Sequence, residues 1–566
     1  MRWITREKAD KDKANALAEA LGVAFPIAEL LVQRGIEDFD AAKDFFRPHF
    51  DQLHPPTLMK DMDKAVGRIL EALSLEESIL VYGDYDVDGT TSVALMSSFL
   101  KNFSDQISTY IPDRYTEGYG VSYQGIDYAA ENNINLIIAL DCGIKAVDKV
   151  AYAKEKGIDF IICDHHRPGD ELPDAQAILN PKQIDCSYPY KELCGCGIGF
   201  KLIQALGEEL GLEEIDLIPY LDLVATAIGA DIVPLDGENR TLASLGLEQL
   251  NNSPRPGFKA IIDQVGIEQL TLTNVIFIIA PRINAAGRMN HGSQAVELLV
   301  EKDASKARKI SSQIEQNNTE RRSVESKITK EALDQITNLK EEKAASTVVY
   351  DEHWHKGVIG IVASRLIDTY YRPTLVFTKS GDQLAASARS VKGFDIYQAI
   401  EACSDHLIQF GGHKYAAGVT LKPEQYNSFK KAFEAYVSLN LEEELKTPSI
   451  SIDMELRLED INPKFYRILK QFAPFGPENW APTFISKGVE DSGYAKTVGE
   501  DDKHLKARFS QDMAYGTDAI GFDLGKHLNL ITGRKKADIV YSLDHNTWQG
   551  TTSIQLKLKD LKASES

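Results

Sequence analysis

The chain has 566 residues, 43% hydrophobic and 26% charged, which excludes a disordered, collagenous or purely coiled-coil polypeptide and leaves room for about three or four domains. Lys and Arg number 63 against 84 Asp and Glu, a net charge of −21, so bulk electrostatics would not hold nucleic acid and any such site must be a local groove. Six cysteines are too few for a disulfide framework, no apolar run approaches the about 18 residues that span a bilayer, and the N-terminus MRWITREKADKDK lacks an apolar signal core. A cytoplasmic protein with no membrane contact is therefore expected.

Residues 1–55 carry Leu17, Leu21, Ile27, Leu30 and Leu31 at helical spacing and read as a helical extension. From residue 78 short apolar runs alternate with amphipathic stretches: Ser78–Gly83, Ile107–Pro112, Asn135–Leu140, Asp159–Cys163 and Ala177–Asn180. That rhythm predicts βαβ units and a parallel sheet, followed by mostly helical chain over 193–250, within one domain spanning 56–300. Over 301–345 Ile310, Ile314, Val324, Ile328, Leu333 and Ile336 recur in a charged stretch without Gly or Pro. This predicts a long connecting helix, in which Arg321 and Arg322 are candidate phosphate contacts. Residues 346–444 form a second α/β block with strands at Thr347–Tyr350, Thr374–Thr378 and Ala385–Ser390 and a helix over Val358–Ile367. Residues 445–566 alternate as strands do at Ser449–Leu456, Leu505–Phe509 and Ser553–Leu558, which suggests a small barrel of the OB type.

The chemistry concentrates at the ends of the apolar strands. In VYGDYDVDGTT, Asp84, Asp86 and Asp88 occupy alternate positions, and three carboxylates that close repel one another unless a cation joins them. An EF-hand needs Glu at the twelfth position, where this chain has Leu95, and that reading fails. Asp141 follows the run LIIAL, Asp164-His165-His166 follow the next strand, and Asp231 interrupts the apolar stretch TAIGADIVPL. Each alone is ordinarily a helix cap or a structural residue. Three strand ends in one parallel sheet converge on one crevice, where ligands of open α/β sheets sit. Carboxylates with few imidazoles suit Mn²⁺ or Mg²⁺ better than structural zinc, and two such ions about 3.5–4 Å apart clamp a phosphoryl centre.

Cys186, Cys194 and Cys196 lack a CxxC pair, so buried thiols are favoured over a zinc site, and Cys142 and Cys163 read as small hydrophobes. The run Gly195, Gly197, Gly199 is a weak dinucleotide signal without a strand before it. In the second block, Ser387-Ala388-Arg389-Ser390 offers a phosphate clamp, with His413 in a glycine-rich segment. Arg114 in IPDRYTEGYG and Arg282 and Arg288 in PRINAAGR are further phosphate contacts. Tyr115, Tyr119 and Trp354 are candidates for stacking on bases.

Taken together, DYDVDG, ALDCGI, DHH and GADIVPL resemble the DHH phosphoesterase superfamily, and WHKGVIGIVASR, SARS and GGHKYAAG resemble its companion DHHA1 domain. The length, the connecting segment and the C-terminal PFGPEN are similar to the single-strand-specific 5′→3′ exonucleases of that superfamily. The resemblance implies an α/β fold: a parallel-sheet DHH domain and a smaller α/β DHHA1 domain joined by a long helix, with a C-terminal OB-like β-barrel. It implies two Mn²⁺ or Mg²⁺ ions, with Asp86, Asp88, Asp141, His165 and Asp231 as ligands, Asp141 bridging, and Asp84 in the same motif. His166 would contact phosphate or act as acid-base, with Asp164 orienting a neighbour. Arg114, Ser387 and Arg389 would hold a 5′ phosphate; SARS stands where Gly is common before the Arg. Single-stranded DNA would be cut to 5′-mononucleotides in repair and recombination, with a single-strand-binding protein and a helicase as implied partners.

Two alternatives remain at this level. A phosphodiesterase for very short oligoribonucleotides or cyclic dinucleotides would share the metal site, as would an inorganic pyrophosphatase, but residues 447–566 argue against the first and the large Arg-bearing C-terminal half against the second. A catalytically dead binding module would have lost ligands, and every matched position is intact here.

Overall fold

The computed structural model describes residues 1–512, 516–548 and 550–564; the barrel assigned above to 445–566 includes the few positions outside them. The chain opens with strand β1 (Arg2–Thr5) and helices Lys11–Leu21, Phe25–Val32 and Phe39–Phe46. It then enters a sheet of β2 (Ile79–Gly83), β3 (Ile107–Tyr110), β4 (Leu136–Leu140), β5 (Asp159–Cys163) and β6 (Ala177–Leu179). All neighbours are parallel, in the order β3-β2-β4-β5-β6. The order reverses between β2 and β4, so their carboxyl ends flank a topological switch point.

Both faces of this sheet are buried, which is why its strands are continuous apolar runs rather than alternating ones. Ile79, Val81, Leu136, Ile138 and Ile161 face one core with helices Met62–Ser74, Val87–Leu100 and Gly195–Leu210. Leu80, Tyr82, Ile137, Ala139 and Ile162 face a second core with helices Tyr123–Glu131 and Val147–Glu155.

Helices continue to Val300, and the connecting helix runs Ala304–Asn338, about 52 Å at 1.5 Å per residue. The second lobe holds β7 (Thr347–Tyr350), β8 (Thr374–Ser380), β9 (Gln383–Arg389), β10 (Gln409–His413) and β11 (Ala416–Leu421) in the order β10-β11-β9-β8-β7. Only β7 and β8 are parallel.

The C-terminal part has β12 (Ser449–Ile452), β13 (Met454–Glu455), β14 (Phe484–Asp491), β15 (Lys496–Val498), β16 (His504–Ser510), β17 (Thr517–Gly521), β18 (Lys536–Trp548) and β19 (Thr551–Ala563). Strands β14, β18, β19, β17 and β16 pair in that order, and β16 pairs back to β14, so five strands close a barrel with the parallel β17–β19 contact of an OB fold.

Two long-range joints were not legible in the sequence. The N-terminal helices share their core with the barrel: Leu17, Ile27 and Leu31 pack with Phe465, Leu469 and Phe472, and β1 pairs with β12. The buried Arg240 guanidinium donates to the carbonyls of Phe45, Phe472 and Ala473, tying the extension and the barrel segment to the first lobe. Among the described residues no single helix is long and apolar enough to cross a membrane. The pair Lys11–Leu21 and Phe25–Val32 is apolar enough only when taken together, and it is bent by 120° and packed in this core.

Candidate metal centre and phosphate clamp

Asp84 follows β2 directly, Asp141 follows β4 and Asp164 follows β5, so the sheet delivers three carboxylates to one edge. Asp86 caps the helix Val87–Leu100, accepting from Gly89 N–H at 3.0 Å. Gly89 is required there, because a Cβ would lie 2.4 Å from the Asp84 carbonyl oxygen. Asp88, in the first turn of the same helix and buried, accepts from Gly195 N–H at 2.6 Å and Cys196 N–H at 2.8 Å. Both donors belong to the first turn of helix Gly195–Leu210, whose positive end faces the carboxylate. The glycine run read as a weak dinucleotide signal therefore anchors Asp88. Gly195 also lets Asp141 approach, since a Cβ on it would sit 2.6 Å from that of Asp141.

Asp141 adopts a left-handed backbone (φ 58°) and donates its backbone N–H to the Cys163 carbonyl at 2.9 Å. His165 Nε2 lies 3.2 Å from Asp141 Oδ1, 3.7 Å from Asp231 Oδ2 and 3.8 Å from Asp88 Oδ2. Two ligand groupings result, Asp88–His165–Asp231 and Asp141–His165–His166. Asp84 and Asp86 lie outside both groupings, yet near enough for their charges to raise Asp141. Asp84 Oδ2, Asp141 Oδ1 and both ring nitrogens of His165 are buried with no hydrogen-bond partner among the described residues.

Buried polar atoms without partners are costly, and a divalent cation supplies the missing partner. Burial, then the neighbouring carboxylates, pushes Asp84 up to about 8 and Asp88 up to about 6, and raises Asp141 and Asp231 well above the usual range. Burial holds His165 down at about 3, so it is neutral and free to ligate. The donor set of carboxylates and imidazole fits Mn²⁺ or Mg²⁺.

Asp164 Oδ1 accepts from His166 at Nδ1 (2.7 Å) and backbone N–H (3.1 Å), while Oδ2 accepts from Ile144 N–H at 2.9 Å. The ring is thereby fixed with Nε2 outward, 3.1 Å from the Tyr119 hydroxyl. Burial alone would lower His166, but the bond and charge of Asp164 prevail and lift it to about 8.

Three guanidinia have no carboxylate partner among the described residues; Arg114 lies near enough to Asp84, and Arg288 to Asp86, for their charges to interact, and Arg389 adds its charge at Arg288. Arg114 stacks at 3.7 Å over Tyr85 and donates to the Gly287 carbonyl, Arg288 donates to the Gly357 carbonyl, and Arg389 lies with Ser387 beneath Gly360. Burial, then Arg114 and Arg389, depresses Arg288 to about 10, a sign of concentrated positive charge. His413 is lowered by burial, then by Arg389.

Arg282 departs from the expected cluster: it pairs with Glu315 and lines a separate groove. Trp354 is buried and donates to Glu331 at 2.9 Å, so it is core, whereas Tyr115 and Tyr119 are exposed. All six cysteines are buried free thiols, with Cys142 and Cys163 in the two cores flanking the sheet. Tyr119 was read from the sequence as a stacking candidate and not as a neighbour of His166, and Gly195 and Gly360 were not assigned to this site, although the run at Gly195 carried a weak signal.

The ionisations predict a pH effect on the metal-free protein. From about pH 6.5 to about pH 8 the folded chain holds protons on Asp84 and His166 that the unfolded chain has released, so stability falls as pH rises. His165, depressed in the fold, acts oppositely but only below its unfolded value near 6.5. In EDTA the melting temperature should drop on the order of several degrees across that window, and saturating Mn²⁺ should flatten the slope. A slope in EDTA equal to that in Mn²⁺ would refute the carboxylate cluster as its source.

The chain matches three family models: DHH family, N-terminal domain over 78–228, DHHA1 domain over 340–439 and RecJ OB domain over 452–560. It is 38% identical to the single-stranded-DNA-specific exonuclease RecJ of Bacillus subtilis, over all of this chain and 71% of the relative. Crystal structures of RecJ from Thermus thermophilus superpose over the whole chain and about four-fifths of theirs. The Mn²⁺ complex does so with TM-score 0.85 at 27% identity, and the Mg²⁺ complex with TM-score 0.79 at 26%.

Proposed function

Because the chain belongs to the RecJ family of single-stranded-DNA-specific exonucleases, we propose that it removes 5′-mononucleotides one at a time from the 5′ end of single-stranded DNA. The observation that carries this reading is the opposition of two features. Buried carboxylate and imidazole atoms without partners stand on one side, and Arg114, Arg288 and Arg389 without carboxylates on the other.

Asp86, Asp88, Asp141, His165 and Asp231, with Asp84 in the same motif, would hold Mn²⁺ or Mg²⁺, and ions there supply Lewis-acid charge at the phosphoryl oxygens. Arg114, Arg389 and Ser387 hold the terminal 5′ phosphate, with Arg288 and His413 beside them, and so fix which phosphodiester reaches the carboxylate cluster. Water gives up a proton to solvent as it adds to that phosphorus, and the bond to the 3′ oxygen breaks. His166, oriented by Asp164 and protonated near neutral pH, carries the proton at Nε2 for the leaving oxygen. The barrel guides the strand behind the first nucleotide, and Arg282 is left out of the clamp by its pairing with Glu315.

We divide the chain into an extension (1–55), a DHH domain (56–300), a connecting helix (301–345), a DHHA1 domain (346–444) and the OB domain (445–566). A cytoplasmic role in repair and recombination, beside a single-strand-binding protein and a helicase, follows from the same reading.

Digestion of 5′- and 3′-labelled single strands with Mn²⁺ tests it. The 5′ label should appear first as a mononucleotide, with duplex spared; early loss of the 3′ label, or equal attack on duplex, would sink it. The clamp has its own test. Arg389→Ala should slow cleavage of 5′-phosphorylated strands by on the order of tenfold to a hundredfold and erase any preference over 5′-hydroxyl strands. An unchanged preference would place the 5′ phosphate elsewhere.

A further inference from the structure

A second groove, about 1120 Å³, opens where the chain after Gln264, the middle of the connecting helix and helix Ile359–Thr369 meet. Five cations line it (Arg282, Arg321, Arg322, Lys330 and Arg365) against only two carboxylates, Glu315 and Glu325. Both carboxylates are taken: Arg282 pairs with Glu315, and Arg321 and Arg365 share Glu325. Arg322 and Lys330 have no ion-pair partner among the described residues.

Two further donors are buried and unused. Arg321 is only 9% exposed; its terminal nitrogens donate to Glu325 and Asn318 at 2.9 Å each, while Nε has no partner. Thr329 Oγ1 is likewise buried and unpartnered. At the edge of the groove the ring of Phe277 is 71% exposed, an apolar surface left in water beside a positive one.

We propose that this groove is a second binding site, separate from the metal centre, for a nucleoside phosphate. Phosphate oxygens accept from Arg321 Nε and Thr329 Oγ1 and are neutralised by Arg322 and Lys330, and the base stacks on Phe277. A small inorganic anion would leave most of the volume and the aromatic ring unused. The local excess of positive charge stands out in a chain of net charge −21, where it meets the requirement for a local groove. The chemistry is the same for a free nucleotide and for a unit within a single strand. No residue of the groove belongs to the metal centre, so the proposal goes beyond the nuclease reading.

The test is equilibrium dialysis of the full chain carrying Arg389→Ala, without divalent cations, against radiolabelled deoxyadenosine 5′-monophosphate and, separately, a short oligodeoxythymidylate with a 5′ hydroxyl. Binding of at least one probe should survive the loss of the clamp residue. Adding Phe277→Ala or Arg322→Glu should weaken it by about tenfold. Both side chains are on the surface, so the variants keep the parent melting temperature. Binding of the nucleotide identifies a free ligand, and binding of the oligonucleotide alone identifies a passing strand. The proposal is overturned if Arg389→Ala abolishes binding of both probes, if Phe277→Ala and Arg322→Glu change nothing, or if inorganic phosphate competes as well as the nucleotide. Cleavage of single strands is read separately on the parent chain with Mn²⁺, so normal cleavage there together with one of those outcomes refutes this site and leaves the nuclease reading standing.

Discussion

Asp141→Ala is expected to lower single-strand cleavage by on the order of 10³-fold or more while leaving the metal-free protein as stable as the parent, or more stable. Both halves follow from one geometry. Asp141 stands nearest to His165, within the grouping that includes His166, and its Oδ1 is buried with nothing to bond. Burial, then Asp88, Asp86 and Asp231, raises its ionisation far above the ordinary range, so its carboxylate is a burden on the empty fold. Removing it relieves that burden and removes the ligand. A nuclease assay with Mn²⁺, beside melting curves in EDTA and in Mn²⁺, reads both effects. The variant should melt no earlier in EDTA and gain less from Mn²⁺. Retained activity would exclude a role for this carboxylate in cleavage. Lost activity together with a collapse of the melting temperature in EDTA would mean that Asp141 holds the fold and not an ion.

Gly195→Ala is the second large effect, expected to cost on the order of 10²-fold in cleavage and a few degrees in melting temperature. An added methyl would sit 2.6 Å from the Asp141 Cβ and 2.8 Å from its Cα, and backbone cannot swing aside as a long side chain would. Helix Gly195–Leu210 would have to retreat, withdrawing the two N–H groups that hold Asp88. One methyl would therefore disturb two candidate ligands that it does not replace. Helix propensity argues the other way, favouring Ala over Gly by up to about 1 kcal/mol, against an overpacking cost of about 1–3 kcal/mol. The clash wins on those magnitudes. Gly67→Ala is the control. It lies in helix Met62–Ser74 with nothing within 4 Å of its added Cβ, and should stabilise by about 0.5–1 kcal/mol with activity unchanged. If Gly195→Ala behaved like Gly67→Ala, the close approach to Asp141 would carry no functional weight.

Much of the architecture was legible because it is written in short range. Strands such as Leu136–Leu140 are continuous apolar runs whose neighbours bury both faces, and the charged, Gly-free stretch after Val300 is a helix of 35 residues. The carboxylates at strand ends were legible for the same reason: Asp84 and Asp141 each stand one residue beyond an apolar strand, where a parallel sheet must deliver them. The C-terminal alternation suggested a barrel, but its closure depends on β16 returning to β14, a pairing that periodicity cannot specify. Arg282 and Arg288, six residues apart in one motif, look equivalent in sequence. The fold separates them, because Glu315 on the connecting helix captures the first and, among the described residues, no carboxylate pairs with the second.

The sequence by itself marked the five strands of the first sheet, the carboxylates and histidines that stand at their ends, and the succession of two α/β lobes and a β barrel, while β10, β11, β14, β17 and β18 went unread. These depend on patterns within about ten residues, where side-chain periodicity and strand-end geometry act directly. Only the tertiary structure decided that the glycine run opening at Gly195 anchors Asp88 across 107 residues of chain, that Arg240 binds the N-terminal extension to the barrel segment, and that Arg282 is withdrawn from the clamp. Those contacts join segments far apart in the chain, and their partners are chosen by close packing of whole elements, which no local pattern encodes.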